Sequence, residues 1–132
     1  MASRGAEYQL QSGKQFFDDT VEFDGIIHVD NKFLLSASED LAHEGEASLT
    51  KTASYFTTGG AETATLAAGV DGQIKIFHAH GINTSMTITV SEAGWKASGT
   101  GTLTFNARGD GCTLIFTGGK WCIIGNNSVV AG

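Results

Sequence analysis

No proline occurs anywhere in the chain. Tight turns must therefore draw on Gly, Asn and Asp, which reach positive φ angles without a pre-set ring. Cysteine is almost absent too, with two residues, Cys112 and Cys122. Two thiols cannot complete a zinc site by themselves. If Gly118-Gly119 forms a two-residue hairpin turn, Phe116 falls opposite Trp121, Ile115 opposite Cys122 and Cys112 opposite Gly125. The two cysteines then sit on opposite faces, so the register predicts two free, buried thiols. Basic residues are few and scattered: Lys and Arg total 8 against 14 Asp and Glu, a formal net charge of -6. That balance repels phosphate backbones and excludes nucleic acid as an expected partner. No apolar run is long enough to span a bilayer, and residues 1–13 lack the apolar stretch of a secretory signal, so no membrane partner is expected and synthesis is expected in a cytoplasm.

Catalytic patterns are missing as well. There is no Gly-x-Ser-x-Gly elbow, and the Gly-rich run Ser98–Thr102 lacks the lysine of a phosphate-binding loop. The acids Asp18, Asp19, Glu22, Asp24, Glu39, Asp40, Glu44 and Glu46 cluster in the first half and read as a solvated face, or a region that meets a basic partner, rather than as a catalytic pair. The chain is expected to be neither an enzyme nor a cofactor protein.

What is present is glycine, 18 residues of it, among Thr, Ile, Val and Phe, with 41% hydrophobic and 17% charged residues. This is the composition of a folded domain with short strands and tight turns. A chain of 132 residues buries roughly 68% of its unfolded surface, enough for one core.

Period-two alternation, the mark of half-buried strands, is clearest from residue 60 onward. Glu62–Leu66 alternates Thr with Ala and Leu. Gly72–His80 sets Ile74, Ile76 and His78 on one face against Lys75 and Phe77. Thr84–Val90 groups Met86, Ile88 and Val90, and Thr100–Asn106 groups Leu103 and Phe105. Earlier in the chain, Thr20–Val29, Lys32–Leu35 and Leu49–Thr58 read as further strands, with Asp30-Asn31 as a turn and the acidic segment Ser36–Ser48 as a loop or brief helical turn. Cys112–Phe116, Trp121–Ile124 and Val129-Val130 are apolar at nearly every position, so they call for cover on both faces. A subunit interface would supply what one small sandwich cannot. The expected architecture is all-β, a small antiparallel β-sandwich or jelly-roll-like domain over residues 20–132 with an arm at 1–19.

Smaller motifs carry less. His78 and His80 share a strand face at a metal-compatible spacing, but neither His28 nor Asp71 is placed nearby as a third ligand, so no metal is expected. Arg108-Gly109-Asp110 spells an adhesion tripeptide inside what reads as an ordinary turn. The glycosylation patterns at Asn83 and Asn126 carry no weight without secretion. Trp121 reads as core, paired with Phe116; Trp95, at a strand end, reads as an interface candidate.

The runs Glu62–Phe77, Met86–Val90, Gly101–Phe105, Gly109–Leu114, Lys120-Trp121 and Ile124–Asn127 together resemble small β-rich virion proteins of tailed phages. Among these the chain looks most like capsid decoration (cement) proteins, over residues 60–132 and not over the first 60. The resemblance implies a homotrimer that binds the major capsid protein, or another virion protein, on the outer capsid surface and reinforces the shell. A tail, fibre or adaptor role is its alternative. On this reading Tyr8, Leu10, Phe16 and Phe17 belong to an arm that orders on the capsid, and Trp95, Trp121, Ile123, Val129 and Val130 contribute to subunit contacts. A receptor- or carbohydrate-binding module is the competing class, with Trp95, Tyr55 and Phe56 as its aromatic candidates.

Overall fold

Alternating apolar and polar residues produce ten strands among the described residues, 19–132, in a computed structural model that contains no helix there. The chain divides into two units, residues 1–33 and Leu34–Gly132. In the first, Asp19–Phe33 forms no strand. The strand expected at Thr20–Val29 is therefore absent, and so is its partner at Lys32–Leu35. The physical reason is that an isolated two-stranded ribbon is marginal in water, and Gly25 leaves a gap in the middle of the apolar face set by Val21, Phe23, Ile27 and Val29.

All ten strands lie in the second unit. They are β1 (Glu39–Asp40), β2 (Gly45–Glu46), β3 (Ala53–Thr57), β4 (Ala61–Leu66), β5 (Ile74–Gly81), β6 (Ser85–Ser91), β7 (Thr100–Phe105), β8 (Gly111–Thr117), β9 (Lys120–Asn127) and β10 (Val130–Ala131). Two five-stranded sheets result: a first sheet ordered β1-β3-β5-β8-β9 and a second ordered β10-β7-β6-β4-β2. The all-β sandwich expected from the sequence is what the chain forms.

Strand direction is mixed. From β1 to β6 the chain crosses between sheets at every turn, so β1, β3 and β5 run parallel in one sheet, and β2, β4 and β6 run parallel in the other. A parallel pair needs a crossover connection; here a strand of the opposite sheet serves as that crossover. From β7 onward the pairing is antiparallel: β7 on β6, β8 on β5, β9 on β8 and β10 on β7. The acidic segment expected as a loop contributes the two-residue strands β1 and β2.

Inward positions fill one core. Phe56 and Phe77 from the first sheet meet Phe105 from the second, edge to face, at ring-centre distances of 4.9 and 6.2 Å. Leu66, Met86, Ile88, Val90, Leu103 and Leu114 complete it, all fully buried. Trp121 closes one end at 0% exposure, its ring edge to face with Phe116 at 5.1 Å and its indole N–H donating to the Ala67 carbonyl at 2.9 Å.

Candidate association surface

The two sheets differ in what they turn outward. On the second sheet β4, β6 and β7 each carry a Thr-x-Thr triplet, and the register aligns them as Thr63–Thr87–Thr104 and Thr65–Thr89–Thr102. Thr87 and Thr104 bring their hydroxyls to 3.5 Å. This is a polar sheet face of the kind that stands in water.

The first sheet turns out a different set. Lys75, Phe77 and Ala79 of β5 point inward, which leaves Ile74, Ile76, His78 and His80 outside. Ile115 and Cys122 face outward as a pair across β8 and β9, and Tyr55 stands beside His78 on β3. Ile74 is 43% exposed and Ile124 59%. Ile124 is the extra residue of a bulge in β9: Leu114 pairs with Ile123, but Thr113 pairs with Gly125. The bulge corrects one detail of the expected hairpin, since Cys112 stands opposite Asn126 rather than Gly125. The turn at Gly118-Gly119, both with positive φ, and the Phe116–Trp121 and Ile115–Cys122 pairs are as the sequence predicts. Both cysteines are free, Cys112 buried and Cys122 half-buried.

Between the isoleucines and the upper end of β5 lies a shallow depression of about 440 Å³, bordered by Ile76, His78, Gly111, Thr113, Gly125 and Asn127. The glycines create it, because they leave the outer face of β8 and β9 without side chains there. Above it, His78 and His80 meet edge to face at 5.1 Å, and Tyr55 stacks on His80 at 4.4 Å with the planes 23° apart.

The residues singled out from the sequence fall into several places. Tyr8, Leu10, Phe16 and Phe17 lie outside the described residues. Trp121 and Val129 are buried in the core of their own chain, so neither offers a contact surface. Ile123 packs against that core, while Val130, 57% exposed, is open on β10 of the second sheet. Trp95 is half-buried and donates its indole N–H to the Gly132 carbonyl at 3.1 Å, and Phe56 is fully buried. Of the three aromatics considered for a carbohydrate platform, Tyr55 alone stands on an outer sheet face. The adhesion tripeptide is turned inward at its acid: the Asp110 carboxylate is buried and accepts from the backbone N–H groups of Asn106 and Ala107 at 2.8 and 3.0 Å.

Sequence reasoning missed Lys75. Its ammonium is fully buried and donates to the carbonyls of Ser48 and Lys51 at 2.7 and 2.8 Å, with Glu39 at 3.4 Å. Glu39 also accepts from the Ser48 N–H at 2.7 Å and from the Ser54 hydroxyl. The cluster ties the segment after β2 to the first sheet, a structural rather than chemical role. Only its place among the inward positions of a strand signalled it, and charged residues are so seldom fully buried that the signal is weak.

The chain matches no protein-family model, no curated protein and no solved structure.

Proposed function

We propose that this chain is a structural, non-catalytic virion subunit that self-associates through the outer face of its first sheet, as a homotrimer, and decorates the outer surface of a phage capsid. One observation carries the association: Ile74 and Ile124 stand exposed, and Ile76 and Ile115 half-buried, on one sheet face while the opposite sheet presents threonines. Apolar sheet faces are stable when covered, and around a threefold axis two neighbouring copies supply that cover to each face. The assignment to a capsid rests on the resemblance of residues 60–132 to decoration proteins, and it leaves the arm at residues 1–19 as the segment that docks on the shell.

The test combines mass and sedimentation. Light scattering should give a trimer for the purified chain, and Ile115→Asp combined with Ile124→Asp should give a folded monomer. Added empty capsids should carry the wild-type trimer down at saturable stoichiometry, and a chain lacking residues 1–17 should remain trimeric but stay in the supernatant. A wild-type monomer would overturn the association. A trimer that ignores capsids would move the protein to a tail, fibre or adaptor position.

A further inference from the structure

We infer that His78 and His80 form, with the same pair from two further copies, a six-imidazole site for one divalent transition-metal ion on the threefold axis of the trimer. The inference rests on the association proposed above and deepens it. Outward positions i and i+2 of one strand point the same way, about 6.6–6.8 Å apart along the chain. Both imidazoles are exposed, and both stand on the face proposed to meet its copies. Their ring centres are 5.1 Å apart. With metal–nitrogen bonds of about 2.0–2.1 Å and ring centres roughly 1 Å behind the bonding nitrogen, two imidazoles on one ion have centres about 4.5 Å apart at a right angle and about 5 Å at a tetrahedral angle. The ring centres therefore stand at a separation that two ligands of one ion can have, and side-chain rotation would turn both bonding nitrogens toward a common point.

One chain does not complete the site. Among the described residues, no group of three or more His, Cys, Asp or Glu side chains gathers where it could hold an ion. Two nitrogens leave most of a coordination sphere open, and copies of the same face are the nearest source of more. If three β5 strands run beside a threefold axis, their His78 rings form one triangle and their His80 rings the next. Six neutral nitrogens around one ion suit nickel, iron or zinc. Tyr55, stacked on His80 at 4.4 Å, restricts the orientation of one ring of each pair.

The experiment uses the full chain without a histidine tag, stripped with chelator and then dialysed against Ni²⁺, Fe²⁺ or Zn²⁺ in turn. Metal content by mass spectrometry and molar mass by light scattering are read together. One ion per three chains in a trimer is the expected result, falling to background in His78→Ala combined with His80→Ala and unchanged in His43→Ala. Circular dichroism checks that the double variant, altered at two exposed positions, stays folded. A trimer that holds no more metal than the double variant overturns the site and leaves the association standing. One ion per chain on a monomer, or one per two chains on a dimer, overturns the threefold arrangement. A monomer without metal under every condition overturns both.

Discussion

Lys75 and Glu39 meet inside the sandwich, ammonium to carboxylate at 3.4 Å, with the lysine wholly removed from solvent. Burial holds the Lys75 ammonium below the usual lysine value, and the attraction of Glu39 offsets that only in part. The unfolded chain therefore binds more protons than the folded one in the alkaline range under the ordinary lysine value. Stability from this group rises with pH through that range, and its burial cost is fully present at neutral pH. Urea midpoints from about pH 7 to about pH 10 should show that upward contribution in the wild type relative to Lys75→Met. Glu39→Ala strands the buried ammonium on two carbonyls and should cost about 3 kcal/mol. A Glu39→Ala protein as stable as the wild type would show that the carboxylate is dispensable to the cluster.

Gly101 and Trp95 test the packing over the second sheet. A Cβ at Gly101 would stand 2.6 Å from the Trp95 Nε1 and 2.9 Å from the Ala93 Cβ. Gly101 is buried and its φ is not in the left-handed region, so crowding rather than backbone strain opposes a side chain there. Gly101→Ala should destabilise by about 1–3 kcal/mol. In a Trp95→Ala background the same substitution should cost measurably less, because one of its two obstacles is gone. Equal costs in the two backgrounds would place the indole elsewhere.

Strand positions and faces were legible in the sequence wherever alternation was strict. From Glu62 to Val90, and again from Thr100 to Phe105, period-two patterning located the strands to within one or two residues, and the glycine pair at 118–119 set a hairpin register. Direction was not legible. A half-buried strand alternates in the same way whether its neighbour is parallel or antiparallel, so the crossing of β1–β6 between sheets left no mark. Nor did β1 and β2, two residues each, too short for any period to register. The bulge at Ile124 inserts a residue without any sequence signal and shifts the pairing of Cys112. Of the association surface, the double-faced apolar character of Cys112–Phe116 and Trp121–Ile124 was visible. Which residues stayed uncovered was not, and Trp121 and Val129 prove to be core.

Asp110 governs the turn between β7 and β8. Its buried carboxylate accepts from two backbone N–H groups, those of Asn106 and Ala107. Asp110→Ala leaves those donors without a partner and should cost about 1–3 kcal/mol in thermal or urea unfolding. Asp110→Asn keeps an acceptor oxygen and should cost less. If both variants match the wild type, water replaces the carboxylate fully and the cap is not a source of stability.

The two thiols report on the core and on the association surface at once. Burial pushes the Cys112 thiol up to about 12, so it is protonated and sheltered under native conditions. Cys122 is half-buried, opposite Ile115 on the outer side of the first sheet. A maleimide should label one thiol per chain in the native monomer, Cys122, and reach Cys112 only on unfolding, since thiolate fraction and access both control the reaction. Labelling of Cys122 should then slow as protein concentration carries the chain into its associated form, while Cys112 stays unlabelled throughout. Equal native rates for the two would contradict the inward placement of Cys112. A Cys122 rate that stays constant while the molar mass grows would mean that the copies meet through some other surface, with the isoleucines of the first sheet left in water.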